Sequence, residues 1–279
     1  MDFNYLGFIF TNPHLTPIGV LSIFLLIFIR IIPILVIAPF LGAKLIPGSI
    51  RIGFAIALTF IILPIQIVKA VHDIPFDLMF IILSIKELLI GFIMGFLATV
   101  PFYIASTSGT IIDYQRGSSS MMSQDITMQM QSSSLGILYN NMLLVLFFQI
   151  GGVFFFITAL LKSFDIIPVN EFINPNFFNL NMPIWKTSVG MLHHLFSMAI
   201  QLAAPAMVAI LMAEAFLGIA NRLAPQVQIA FLGLSLKSFV GLLMLLLSWS
   251  FILKMLGKTS FEWLIHLQDI LNNFNPIPL

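Results

Sequence analysis

Six long apolar segments constrain the fold of this chain more than any other feature of its sequence. They cover approximately residues 18–40, 50–70, 78–105, 136–161, 190–221 and 226–254. Each segment reaches about 20 residues, the length that a helix needs to cross a hydrocarbon layer about 30 Å thick. A backbone in lipid must satisfy its own hydrogen bonds, and these continuous runs lack the short alternation of a β-barrel. The sequence therefore predicts an all-α, polytopic membrane-type protein with about six long helices.

The composition agrees with this class and excludes several others. Of the 279 residues, 59% are hydrophobic and 8% are charged, whereas a soluble domain usually has about 25% charged residues. The net charge of +1 gives no basic footprint for nucleic acid. The chain contains no cysteine, which excludes disulfides, thiolate nucleophiles and cysteine-ligated metal sites.

Prolines interrupt four of the six segments. Pro33 and Pro39 lie within or at the end of the first segment, and Pro64, Pro101 and Pro205 lie in the second, third and fifth. A proline removes one intrahelical hydrogen bond and kinks a helix, so the helices are predicted to be proline-kinked. The kinks fit two interpretations: ordinary bends of membrane helices, or bends that suit packing in a larger assembly.

Five charged residues lie well inside the apolar segments, away from the segment ends. They are Arg30, Lys86, Glu87, Glu214 and Lys237. Each costs about 2.5–3.5 kcal/mol to insert, so such side chains usually face protein or water.

Glu214 and Lys237 lie on the two segments that a tight turn joins. At about 1.5 Å per residue, they lie at similar depth on an antiparallel hairpin. We expect a buried ion pair here, or pairing of both residues with neighbouring subunits. The pair would be structural or would couple to protons or ions. The residues of the turn are Asn221, Arg222, Pro225 and Gln226.

No catalytic constellation is present in the sequence. The five histidines do not have the spacing of a metal site, and no phosphate-binding or nucleophile motif occurs. We therefore predict no catalytic, cofactor-binding or metal-binding residues, and a protein that is not an enzyme.

A polar stretch at 106–135 separates the third and fourth segments. Residues 117–134 read GSSSMMSQDITMQMQSSS. A solvent-exposed flexible loop is one interpretation. Four methionines within ten residues favour another, because methionine is adaptable and fills changing gaps. Serine and glutamine add no fixed charge, so the stretch suits a deformable stopper that closes an aqueous passage.

Two further stretches lie outside the segments. Residues 162–189 are rich in proline, asparagine and aromatic residues, which predicts an ordered connector. Apolar residues between 263 and 274 recur at helical spacing, which predicts an amphipathic helix in the tail at 257–279.

Several motifs carry a resemblance to a known family. They include RIIPILVIAPFLGAKLIPGSIRIG (30–53), GTIIDYQRG (109–117), AAPAMVAILMAEAFLGIANRLAPQVQ (203–228) and FLGLSLK (231–237). Together they resemble the inner-membrane export-apparatus protein of bacterial type III secretion, called SctT in injectisomes and FliR in flagella. The motif IIDYQRG resembles the virulence branch more than the flagellar branch.

The resemblance implies a subunit of the export gate, the pore through which unfolded proteins are exported. It implies assembly with about five SctR-type and about four SctS-type subunits, and contacts with SctU-type and SctV-type proteins and lipid. The fold would combine an SctR-like part at 1–189, an SctS-like helical hairpin at 190–256 and the tail at 257–279. The protein would lie in the bacterial inner membrane, with the assembled helices largely on its periplasmic side.

By position, the family's closed-state plug would fall on residues 117–134, with Asp113 and Arg116 as its base. The plug residues are Gly117, Ser118, Ser119, Ser120, Met121, Met122, Met128 and Met130. Without the resemblance, the runner-up is a secondary transporter with an ion site at Glu214 and Lys237. A third reading is a structural scaffold whose polar stretch is only a linker.

Overall fold

The computed structural model describes residues 15–41, 46–70, 73–117, 133–172, 183–223 and 229–273, and these are helical apart from short turns. The helices are α1 (Pro17–Ile37), α2 (Gly48–Lys69), α3 (Leu78–Gln115), α4 (Ser134–Gln149), α5 (Gly152–Ile166), α6 (Pro183–Leu223), α7 (Ile229–Leu247) and α8 (Trp249–Asn273). A single 3₁₀ turn, Pro39–Leu41, follows α1. The predicted all-α class is confirmed.

Four described helices are long and apolar enough to cross a membrane. They are α1, α2, α3 and the part of α6 from His193 to Leu223. The pairs α4–α5 and α7–α8 pass the same test only together, and they are bent by 74° and 65°. The chain is therefore a multi-pass membrane-type protein whose described residues form four such helices, or up to six if each bent pair is one span.

The two sharp bends do not fall at prolines. Pro33, Pro64, Pro101 and Pro205 each lie inside a helix. The α4–α5 bend falls at Gly151, whose φ of 72° is in the left-handed region that glycine adopts without strain. The expectation of continuous helices at 136–161 and 226–254 is therefore wrong, because each segment contains a break.

Helix ends also differ from the sequence-based boundaries. Helix α3 continues to Gln115 and α4 begins at Ser134, so both ends of the polar stretch predicted at 106–135 are helical. Helix α5 ends at Ile166 and α6 begins at Pro183, so both ends of the connector predicted at 162–189 are helical too. The predicted tail helix continues α8, which begins at Trp249.

The chain divides into two compact units. The first contains the described residues of Met1–Thr99, Val153–Ser188 and Leu264–Leu279. Its core forms where α1 packs on α2 and α3, and the rings of Phe24 and Phe60 lie 5.2 Å apart. Gly91 allows α3 to approach α1 closely, since a Cβ there would lie 2.1 Å from the carbonyl oxygen of Arg30.

The second unit contains the described residues of Val100–Gly152 and Val189–Trp263. The rings of Phe102 on α3 and Phe147 on α4 lie 5.5 Å apart in this unit. One face of α6 is buried, with no exposed surface on Leu202, Ala203 and Ile210. This unit holds the two ends of the polar loop.

Candidate functional site at the base of the polar loop

Asp113 joins the end of α3 to the start of α4. Its Oδ1 accepts a hydrogen bond from Arg116 Nη2 at 2.7 Å. Its Oδ2 accepts from the Ser133 hydroxyl at 2.6 Å and from the Leu135 backbone amide at 2.9 Å. The carboxylate is buried, so one side chain holds residues on both sides of the polar loop.

The start of α4 depends on two acceptors. Ser133 is the N-cap residue, and its hydroxyl oxygen accepts from the Gly136 amide at 2.8 Å. Asp113 satisfies the Leu135 amide, one of the first amides of a helix that have no intrahelical partner. A carboxylate at a helix N-terminus is also favoured by the helix dipole. The polar stretch therefore becomes helical at Ser134.

Glycines bring the two helices into contact at this base. A Cβ on Gly109 of α3 would lie 2.4 Å from the Leu135 carbonyl oxygen, and one on Gly136 would lie 2.9 Å from the Ser106 carbonyl oxygen. Gly117 ends the turn after α3 with a φ of 80°, a conformation common just beyond a helix C-terminus. The path of the chain into and out of the loop is thus fixed by backbone contacts.

The predicted plug is only partly within the described residues. Asp113, Arg116 and Gly117 lie together at the loop base, while Ser134, the last residue of the predicted plug, is the first residue of α4. The remaining predicted plug residues lie outside the described part of the chain: Ser118, Ser119, Ser120, Met121, Met122, Met128 and Met130.

Glu214 on α6 and Lys237 on α7 form an ion pair. Lys237 Nζ lies 2.5 Å from Glu214 Oε1, and the side chains are 27% exposed for Lys237 and 40% for Glu214. Nearby contacts follow an antiparallel register, because Gly233 packs beside Leu217, which is closer to the turn. The pair is therefore partly buried on the hairpin.

The turn of this hairpin is only partly described. Asn221 and Arg222 form part of the last turn of α6. Pro225 and Gln226 lie outside the described residues.

A second charge cluster in the first unit was not predicted as such. Arg30 on α1 donates to both carboxylate oxygens of Glu87 on α3, and both side chains are fully buried. Lys86 Nζ lies 2.7 Å from Glu87 Oε1. Arg30 also stacks over the Phe164 ring at 4.0 Å. In the sequence these charges lie in apolar segments. Because burying an unpaired charge is costly, the sequence indicates that each needs a partner.

The described residues contain no group of three or more histidine, aspartate or glutamate side chains that could hold a metal ion.

Comparison with known proteins identifies the family. Residues 21–262 match the model of "Bacterial export proteins, family 1". The chain belongs to this family. It is 30% identical over 246 residues to the secretion system apparatus protein SsaT of Salmonella typhimurium, covering 87% of this chain and 92% of SsaT.

Further relatives of this export protein include virulence and flagellar proteins. It is 31% identical to the surface presentation of antigens protein SpaR of Shigella flexneri, over 77% of this chain and 80% of SpaR. It is 30% identical to the flagellar biosynthetic protein FliR of Aquifex aeolicus, over 80% of this chain and 84% of FliR.

These matches confirm the predicted family. The chain is a subunit of a type III secretion or flagellar export apparatus. The preference for the virulence branch is consistent with the match to SsaT.

Proposed function

We propose that this export protein forms part of the pore through which unfolded proteins are exported. In this role it nucleates a helical assembly with SctR-type and SctS-type subunits and contacts SctU-type and SctV-type proteins. Membership of the export family over residues 21–262 supports the role. We place the protein in the bacterial inner membrane, with its assembled helices largely on the periplasmic side, and we assign it no catalytic step.

The pore is closed by the segment 117–134, acting as a plug. The observation that carries this proposal is the Asp113 carboxylate, which binds Arg116 before the loop and Ser133 and Leu135 after it. Both ends of the segment are therefore held at one buried point. A segment held in this way can yield to a passing chain and return, while the helices that frame it keep their positions.

The division into SctR-like and SctS-like parts belongs to the same proposal. Helices α6 and α7 would form the SctS-like hairpin within residues 190–256. The antiparallel register of Glu214 with Lys237 and of Leu217 with Gly233 supports this role. Residues 1–189 would supply the SctR-like part, and the end of α8 would belong to the tail at 257–279.

Deletion of residues 118–132 tests the plug. The deletion leaves Gly117 and the N-cap Ser133 in place, so the loop base remains. We expect the complex to assemble and its pore to leak ions and small molecules, measured as dye or ion flux across vesicles that contain the complex.

Replacing Met121, Met122, Met128 and Met130 with alanine provides a graded variant. If packing by these flexible side chains closes the passage, the leak should be smaller than that of the deletion. A matched control permutes the order of residues 118–132 and keeps their composition. An assembled deletion complex that is as tight as the parent complex would show that this segment is not the seal.

A further inference from the structure

Two buried cations hold the chain just after the end of α5. Arg30 Nη2 donates to the carbonyl oxygen of Ile167 at 2.8 Å. Lys86 Nζ donates to the carbonyl oxygens of Pro168 at 2.8 Å, Val169 at 3.3 Å and Glu171 at 2.8 Å. Four carbonyl groups of a non-helical segment thus point toward the cation pair.

The charges in direct contact do not balance without these carbonyl groups. Arg30 and Lys86 share the single carboxylate of Glu87. The C-terminal end of a helix carries partial negative charge and has carbonyl groups without intrahelical partners. The end of α5 and the residues after it therefore supply the remaining negative potential for the two cations.

Arg30 lies well inside α1, away from both ends of the helix. Arg30 lies 13 residues after Pro17 and 7 residues before Ile37, the ends of α1, or about 20 Å and about 10 Å along the axis. Because helical side chains lean toward the N-terminus, the guanidinium lies near the middle of α1. Non-helical backbone at such a level persists only where protein or water satisfies it.

We propose that Lys86 is a tethered cation that fixes where the chain leaves α5. The ammonium group fills a cage of three carbonyl oxygens and one carboxylate, as a bound cation would. The chain consequently turns away from α5 within the first unit, where Arg30 and Lys86 bind the carbonyl groups that follow the helix. This positioning role goes beyond the pore and plug, and its test does not depend on them.

The contribution of Lys86 can be tested without breaking the ion pair between Arg30 and Glu87. Arg30 holds Glu87 through two donors, so that pair stays bonded when Lys86 is replaced. Lys86→Met keeps the unbranched shape of the side chain, one heavy atom shorter, and removes its charge. The three carbonyl groups then lose their common donor, and residues 168–171 should be released locally.

Cysteine labelling can measure this release, because the chain has no natural cysteine. Val169 is 1% exposed, so Val169→Cys in the full-length chain in membrane vesicles should react slowly with a maleimide. Adding Lys86→Met should raise the rate at least about tenfold, since three hydrogen bonds to a charged donor oppose the opening. Equal rates with and without Lys86 would overturn the proposal.

Lys69→Met is the matched control. Lys69 pairs with Asp165 of α5, but both side chains are about half exposed, and exposed pairs contribute little. In this background Val169→Cys should stay as slow as in the parent. A rate as high as that of Lys86→Met would mean that any lost contact of α5 frees the segment, and would overturn a specific role for Lys86.

A second cysteine separates local release from unfolding. Ala203 in the second unit is 0% exposed, and Ala203→Cys should stay unreactive in the Lys86→Met chain. If both cysteines become reactive, Lys86 supports the whole fold and the local role is overturned. Lys86→Arg keeps a cation at this position and should retain most of the protection of Val169→Cys. Labelling as fast as in Lys86→Met would show that charge is not what holds the segment.

Discussion

At the scale of single residues, Asp113 does more than neutralise Arg116. Its carboxylate accepts hydrogen bonds from Arg116 and from Ser133 and Leu135, about twenty positions away. A buried carboxylate that is fully hydrogen-bonded stabilises the fold, whereas the same site with one acceptor missing leaves donors unpaired.

Asp113→Asn should lower the free energy of unfolding by about 1–3 kcal/mol, because an amide offers one acceptor oxygen to three donors and carries no charge. The measurement is the apparent Tm of the purified protein in mild detergent. Glu262→Gln is the control, since Glu262 and Lys258 are 3.6 Å apart with exposed side chains and should change stability by less than about 1 kcal/mol. Equal shifts in both variants would contradict the role of Asp113.

A pair of glycine substitutions tests the contact between α3 and α4. Gly109→Ala should destabilise by about 1–3 kcal/mol or more, because its Cβ would meet backbone atoms that no side-chain rotation can move. Gly218→Ala on α6 meets nothing within 4 Å and should raise helix stability by up to about 1 kcal/mol. Thermal unfolding of both proteins gives the comparison. A neutral Gly109→Ala would mean that the helices are not in close contact.

At the scale of helices, the sequence predicted where helices occur better than where they bend. The long apolar runs located α1 to α7, because length and hydropathy are local properties, whereas most of α8 lies in the predicted tail. The bends were missed, because the α4–α5 bend depends on the single left-handed Gly151 and the α7–α8 break falls at Ser248. Proline marked neither of these positions.

The ion pairs Glu214–Lys237 and Arg30–Glu87 differ in whether the sequence could predict which residues pair. Glu214 and Lys237 are 23 residues apart on a hairpin, and the antiparallel register places them together. Arg30 and Glu87 are 57 residues apart with α2 between them, so no turn relates their positions. The apolar helices indicated that each charge needs a partner, but only the packing of α1 against α3 decides which partner it is.

Charge reversal tests the pairing of α6 with α7. Glu214→Lys and Lys237→Glu should each impair secretion, because each replaces an ion pair by like charges at facing positions of neighbouring helices. The double reversal should restore much of the loss, measured as secreted protein per cell. Full activity in both single variants would show that the pair is dispensable. Failure of the double variant would indicate that the residues act separately.

At the scale of the whole molecule, many large apolar side chains are exposed. Phe92, Phe196, Phe216 and Phe239 each present more than half of their surface. Apolar surface of this extent marks contact with lipid or with other proteins. Four described helices are apolar enough to cross a membrane, and the family is one of bacterial export proteins, so both kinds of contact are expected.

Extraction in mild detergent distinguishes an assembly subunit from an autonomous transporter. We expect the protein to co-purify with two other small membrane proteins in unequal ratio, measured by native mass spectrometry. Lone protein that transports a solute in vesicles would contradict the export-gate role. It would favour the secondary transporter with an ion site at Glu214 and Lys237.

The hydrogen bonds that Asp113 accepts bear on how far the loop can change in length and sequence. Asp113 accepts hydrogen bonds from Arg116, Ser133 and Leu135, which lie at or beyond the two ends of the loop. Residues can be added, removed or exchanged between Gly117 and Ser133 without touching these bonds, and lengthening a loop costs little entropy. The sequence between Gly117 and Ser133 can therefore change while the two helix ends keep these contacts.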